Sequence, residues 1–274
     1  MKARKGQLSY PLLLWVAALL VGGLLIPSGP ASATTLDCTA GCSALFGTQS
    51  ARFTTGEIQP AGTGIFDTFV QMSHNGTEQA YNTTVDNVLD NKSSDNFNHA
   101  ITLSQVPIKT VNGIKYREFS LDINQLNTAT GKLLSLDGLK IILSTTANQS
   151  ATPLPSGTVV YNLDAGGDNW IKLNANLFPP GSGTSDLFAL IPNSLFTGPS
   201  TQFVYLWSQF GLQSVAPVPA AQRCCGSNDG FEEWRVQKIA APPAVPEPAS
   251  LLLMGSGLVG LGLWARKRRK DVQA

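Results

Sequence analysis

Between residues 34 and 240 the chain never holds a 3.6-residue apolar period for the length of an ordinary helix, and this most restricts its fold. Apolar residues gather instead in short runs rich in aromatic and β-branched side chains: QFVYLWSQFG (202–211), KIILSTT (140–146), TVVYNL (158–163), DLFALI (186–191) and FEEWRVQKI (231–239). Such runs read as strands. Between them lie Asn75-Gly76, Asn112-Gly113, Asp137-Gly138, Gly166-Gly167 and Asp229-Gly230, dipeptides that favour tight turns. In IKYREFSLDI (114–123), Ile114 and Tyr116 keep one alternation phase while Phe119, Leu121 and Ile123 keep the other, a slip that predicts a β-bulge or a strand end. Residues 34–240 suffice to bury one core. The expected fold is all-β: an antiparallel β-sandwich of jelly-roll type, with a barrel as the alternative.

Both ends of the chain carry a different kind of signal. At the N-terminus Lys2, Arg4 and Lys5 precede an apolar run from Leu12 to Ile26, a Pro-Ser-Gly-Pro break and Ala31-Ser32-Ala33. That is the order of a secretory signal peptide, residues 1–33, with Ala31 and Ala33 at the small-residue positions and Thr34 as the first mature residue. An uncleaved anchor helix is the alternative. The partners implied are the Sec export machinery and signal peptidase. At the other end a Pro-rich linker (241–248) leads into 17 apolar residues (249–265) and the basic tail 266–274, which opens with Arg266, Lys267, Arg268, Arg269 and Lys270. As a helix the apolar stretch is about 26 Å long, slightly short of the roughly 30 Å hydrocarbon core, and bilayer thinning or snorkelling can make up the difference. The basic residues then act as a stop-transfer tail on the cytoplasmic side, with residues 34–240 exported and the helix in contact with membrane lipid. The GSGLVG of residues 255–260 spells a dinucleotide fingerprint, but no strand precedes it and no acidic residue follows at the required distance.

Pro246, Glu247 and Pro248 stand directly before that apolar stretch. Triplet, span and basic tail resemble the PEP-CTERM sorting signal over residues 245–270. The resemblance implies recognition by exosortase, a membrane-embedded transpeptidase-like enzyme, with cleavage near the triplet. It further implies transfer to the cell surface or extracellular matrix of a Gram-negative bacterium. Five stretches also look like an ectodomain type that recurs ahead of such signals: GTEQAYN (76–82), YREFSLDINQ (116–125), LDAGGDNW (163–170), IPNSLF (191–196) and NDGFEEW (228–234). That type brings no catalytic residues with it. The segment 214–227 lengthens the loop before the last of these stretches.

The exported part holds 11 Lys and Arg against 16 Asp and Glu, a net charge of −5 that argues against nucleic acid as a partner. Its cysteines, Cys38, Cys42, Cys224 and Cys225, are disulfide candidates in an oxidising compartment. Pairing of an N-terminal with a C-terminal cysteine is expected, because adjacent cysteines bond with difficulty and domain ends often lie close; Cys38 with Cys42 is the alternative. Asp164, Asp168 and Asn169 surround a glycine turn with hard oxygen donors. They read foremost as a solvated turn, and secondarily as a calcium site; no other cofactor is expected. His74 and His99 sit in no nucleophile motif, and adjacent Glu232 and Glu233 face opposite sides of a strand, with Trp234 inward. Trp170, Trp207, Trp234, Tyr81 and Tyr205 read as core first and as sugar-stacking platforms second. The chain is therefore expected to be a non-enzymatic surface or matrix protein with a structural or glycan-binding role, exopolysaccharide being the ligand considered. An exported hydrolase of matrix polysaccharide and an ordinary single-span membrane protein are the alternatives.

Overall fold

The computed structural model describes residues 33–56, 65–92, 96–178, 185–228, 230–239, 258, 259 and 261. Its strands are β1 (Thr34–Asp37), β2 (Ser43–Phe46), β3 (Ala51–Thr54), β4 (Phe66–Met72), β5 (Glu78–Tyr81), β6 (Ile101–Thr102) and β7 (Ile108–Val111). They continue with β8 (Ile114–Asp122), β9 (Leu133–Ser144), β10 (Thr158–Asn162), β11 (Asn169–Asn174), β12 (Leu187–Pro192), β13 (Phe203–Phe210) and β14 (Glu232–Gln237).

These strands form two open sheets, so the all-β sandwich is the architecture and the barrel is not. The first sheet runs β1-β11-β9-β13-β5, with β10 also on β9 and β6 also on β13. The second runs β2-β3-β12-β8-β14-β4, with β7 also on β8. The ladders are antiparallel except β1 with β11, which is parallel. Alternation drives one face of each sheet inward: Leu134, Leu136, Ile141, Leu143, Val204 and Leu206 from the first sheet meet Phe53, Phe119, Leu121, Ala189, Trp234 and Val236 from the second in one core.

Two local expectations give way. The phase slip in residues 114–123 is neither a bulge nor a strand end, because β8 pairs with β12 in unbroken register from Tyr116 to Leu121. Phe119 and Leu121 face the core, so Tyr116 and Glu118 face outward, and Ile114 is exposed where β8 leaves the sheet as a hairpin with β7. The apolar pattern changes phase because the strand changes neighbours. The Asn112-Gly113 turn of that hairpin has positive φ at both residues, 50° and 79°, as a two-residue type I′ connection requires. Asp137-Gly138, by contrast, makes no turn. It lies within β9, where the register against β13 skips a residue between Gln209 and Phe210 and leaves Asp137 in a bulge. A Cβ on Gly138 would stand 2.7 Å from the Trp207 ring, so the glycine is there to let the indole lie flat on the strand.

The outer face of the first sheet carries its own small cluster of Tyr81, Val88, Ile142, Tyr205 and Trp207. The loop around Gln149 ties it down: Tyr81 Oη donates to the Gln149 and Ala151 carbonyls at 3.1 and 2.8 Å, and Tyr205 Oη to the Thr146 carbonyl at 2.8 Å.

Candidate functional site

The least expected feature inside the sandwich is a pair of acids. Glu78 opens β5 in the first sheet and Glu232 opens β14 in the second. Each shares its strand phase with core residues, Glu78 with Ala80 and Glu232 with Trp234 and Val236. Both side chains therefore point into the space between the sheets, where they are 1 % and 0 % exposed. Glu78 Oε2 accepts from the His74 backbone N–H at 2.8 Å, and Glu232 Oε1 accepts from Gln125 Nε2 at 2.5 Å. Glu232 stands within hydrogen-bonding reach of Glu78, and it also accepts from the Asn124 backbone. Burial first, and the neighbouring Glu78 second, hold the Glu232 carboxyl well above the usual carboxylate range.

The sequence sets Glu232 and Glu233 on opposite sides of a strand, and Glu78 is not singled out in it. The available signal was a carboxylate in phase with apolar positions, E-x-W-x-V in β14. Glu233 does face the other way, toward Gln71 Nε2 at 2.6 Å and Thr68, and Trp234 is inward with its Nε1 donating to Ser208 Oγ at 2.9 Å. Three of the five ectodomain-like stretches meet at this point, through Glu78, through Asn124 and Gln125, and through Glu232.

The ends of the sandwich bear on processing. Thr34 is the first residue of β1, and its backbone N–H donates to the Asp168 carbonyl at 2.9 Å; Ala33 before it is exposed. At the other end β14 stops at Gln237, Lys238 donates to the Ile65 carbonyl at 2.7 Å, and Ile239 is exposed. Ala31, the triplet Pro246, Glu247 and Pro248, and the tail Arg266, Lys267, Arg268, Arg269 and Lys270 lie outside the described residues. Within the C-terminal apolar stretch Leu258, Val259 and Leu261 are helical, and each is more than 60 % exposed. No described helix is long and apolar enough to cross a membrane.

Residues 244–269 match the PEP-CTERM protein-sorting motif. The chain carries a PEP-CTERM sorting signal. No curated protein and no solved structure matches the chain. The PEP-CTERM match makes exosortase the implied processing partner and marks an exported, envelope-associated protein.

The cysteines of this PEP-CTERM protein pair locally, which corrects the expected link between its ends. Cys38 bonds Cys42 and Cys224 bonds Cys225. A turn closed by the Gly41 N–H on the Cys38 carbonyl brings the first two Cα atoms to 4.8 Å, inside the range a disulfide bridges. The cross-link between ends is ruled out by strand order. The Cys225 carbonyl accepts from Ser135 of β9 on the side facing β13, whereas the Cys38 N–H donates to Lys172 of β11 from the opposite side. Three interstrand steps of about 4.8 Å put the two roughly 14 Å apart, twice what a disulfide spans.

In the glycine turn Asp164 Oδ1 accepts from the Asn169 N–H at 3.2 Å, and Asn169 Nδ2 donates to the Leu163 carbonyl at 2.7 Å. These are the turn's own Asx bonds; Asp168 is exposed. Burial, the larger cause, and Asp168 both raise the Asp164 carboxyl. Among the described residues no three His, Cys, Asp or Glu side chains gather as a metal would require. Of the aromatics considered for stacking, Tyr81, Tyr205 and Trp234 are fully buried, Trp207 is buried beneath Lys140 with Nζ 4.4 Å from its ring centroid, and Trp170 is half-buried. His99 Nε2 lies 3.4 Å from Asp67 Oδ2, and His74 Nδ1 lies 3.0 Å from the Thr77 carbonyl.

Proposed function

We propose that this chain is an exosortase-processed protein of the outer surface or extracellular matrix of a Gram-negative bacterium, and that its sandwich is a non-catalytic structural body. The observation that carries the proposal is the sorting motif at residues 244–269, which begins a few residues past the last strand. In this reading the Sec machinery exports the chain, signal peptidase cuts before Thr34, and the C-terminal helix holds the chain in lipid until exosortase cuts near Pro246, Glu247 and Pro248. A structural role is favoured over glycan binding because Tyr81, Tyr205, Trp207 and Trp234 are spent on packing. A hydrolase acting on matrix polysaccharide is disfavoured, since a glycosidase needs its two carboxyls on either side of a substrate cleft and Glu78 and Glu232 are in contact and sealed between sheets.

The decisive experiment is the intact mass of the mature protein from its native host, for wild type and for a deletion of residues 246–248. The proposal expects a wild-type mass that starts at Thr34 and stops near Pro248, and a deletion variant that stays in the membrane fraction uncut. A wild-type mass that runs through Ala274 would leave an ordinary single-span protein.

A further inference from the structure

The β7–β8 hairpin runs past the rest of the second sheet as a two-stranded finger. Residues 108–115 are exposed except Val111, which is half-buried, and among the described residues β7 pairs with β8 alone. Its register puts Lys109, Val111 and Ile114 on the face continuous with the outside of the sheet, and Ile108, Thr110 and Lys115 on the other. Ile108 is 49 % exposed and Ile114 53 %. Lysines by themselves would be an ordinary guard on a free strand edge. An isoleucine left in water on each face of the same finger is no part of that guard. Residues 106–115 also hold two lysines and no Asp or Glu, on an exported body whose net charge is −5. The base of the finger is fixed: Arg117 Nη1 donates to the Leu103 and Val106 carbonyls at 2.9 and 2.6 Å, and Lys109 Nζ pairs with Glu118 at 2.8 Å.

The finger points the way the chain leaves the sandwich. β8 is antiparallel to β14, with Glu233 opposite Asp122 and Arg235 opposite Ser120. Continued along both strands, that register brings Gln237, the last residue of β14, level with Glu118. The Asn112-Gly113 tip then stands about 17 Å beyond the end of β14, at about 3.4 Å per residue. Lys238 and Ile239, both exposed, border one cleft with Ser104 and Gln105, which shortly precede β7, so the exit lies beside the base of the finger. From that exit residues 238–245 reach at most about 29 Å before the triplet. We propose that the finger seats the uncleaved protein on the bilayer, with Ile108 and Ile114 in the headgroup layer and Lys115 and Lys238 against anionic phospholipid headgroups. The same anionic surface repels the acidic remainder of the body, so the finger decides which end of the sandwich faces the membrane and hence the enzyme that cuts the linker. The inference rests on the reading of residues 249–265 as a membrane span.

Two exposed positions allow the seat to be tested in the full chain: Thr110 on the finger, and Ala129 in the loop past the far end of β8. Full chain carrying Thr110→Cys or Ala129→Cys would be labelled with the fluorophore NBD and reconstituted in phosphatidylcholine vesicles with and without phosphatidylglycerol. Quenching by a lipid spin-labelled on its headgroup would be read, and carbonate extraction of the same vesicles would report whether the chain is embedded. The expected results are a chain that resists carbonate, strong loss of emission at Thr110 in the phosphatidylglycerol vesicles with a smaller loss in the others, and no loss at Ala129. Ile108→Thr with Ile114→Thr, or Lys115→Glu, should reduce the loss at Thr110 while leaving the melting temperature unchanged, since all three side chains are exposed. A chain that carbonate strips from the vesicles overturns the span and the seat together. An embedded chain whose two labels are quenched alike, or not at all, overturns the seat and leaves the span standing. Quenching that ignores phosphatidylglycerol overturns the recognition of anionic headgroups. Shielding of Thr110 that appears instead in detergent, as chains associate, overturns the proposal in favour of a second copy paired along β7.

Discussion

Asp186 makes the stability of this sandwich depend on pH in a direction opposite to most acid-sensitive proteins. It precedes β12, is 7 % exposed, and its Oδ2 accepts from the Ile123 N–H at 2.8 Å. Burial, the largest cause, pushes its carboxyl from 3.8 up to about 7; Asp122 adds to the rise, and the Ile123 bond and Arg235 oppose it. Between those values the native state keeps a proton that the unfolded chain has released. The unfolded state then binds fewer protons, so stability falls as pH rises from about 4 to about 7. At about 1.4 kcal/mol per pH unit, the shift of about three units gives a ceiling of about 4 kcal/mol. Asp186→Asn keeps an acceptor for Ile123 and removes the titration. Urea denaturation followed by tryptophan fluorescence at several pH values should show the variant gaining on wild type from pH 4 to about pH 7 and the difference levelling off above it. Taking the difference isolates Asp186 from Asp137, Asp164 and Glu232, whose carboxyls burial also raises. Parallel curves for the two proteins across that range would refute the assignment.

Trp234→Ala should cost about 3–5 kcal/mol, since it empties the centre of the core and orphans Ser208; a loss under about 1 kcal/mol in urea denaturation would mean that the packing is not as described. Asn82 extends the β13 ladder with its side chain, donating to the Val204 carbonyl and accepting from the Leu206 N–H, both at 2.8 Å. Asn82→Ala should cost about 1–3 kcal/mol for each orphaned group, and hydrogen exchange at Leu206 should quicken; unchanged protection there would count against the contact. Replacing Cys38 and Cys42 together by serine opens a five-residue loop and should cost about 2 kcal/mol on the chain-entropy estimate. An equal loss on reducing wild type would show that no other disulfide matters for stability.

Residues whose environment is set by nearest neighbours were legible in the sequence. The runs that became β8, β10, β12, β13 and β14 combine β-branched and aromatic residues with turn signals on either side, and local propensity was enough. What was not legible depends on strands far apart in the chain. Asp137-Gly138 has turn chemistry, yet β13 on one side and the need to seat Trp207 on the other hold it in a strand. Propensity lost to packing there. β1 and β2 are short and mostly exposed, so they carry little apolar signal. The cysteine pairing turned on strand order, which no spacing reveals. Glu78 and Glu232 lie 154 positions apart, and only the meeting of the two sheets makes them one feature. The sorting signal was the most legible part because it acts as a linear tract, read by order and spacing rather than by a fold.

The two proposed cleavages place opposite demands on this fold. Thr34, the proposed first mature residue, is already part of β1, whose backbone bonds to Asp168 and along β11. A peptide bond adjoining a paired strand is a poor protease substrate, because a protease needs extended, accessible chain. β1 is an edge strand of four residues, mostly exposed and in the one parallel ladder described, so it can be added late at little cost to the rest of the first sheet. Cleavage before Thr34 is therefore compatible with a sandwich whose other strands have assembled, with β1 docking afterwards. No such latitude exists at the other end. β14 lies between β8 and β4 and supplies Trp234 to the core, so it cannot peel away without unfolding the second sheet. Residues 240–245 alone separate Ile239 from the triplet, and at about 3.6 Å per residue they reach at most about 25 Å. An intramembrane enzyme that cuts near the triplet must therefore act on a body held close to the bilayer, and the length of that linker, rather than any movement of β14, sets how close.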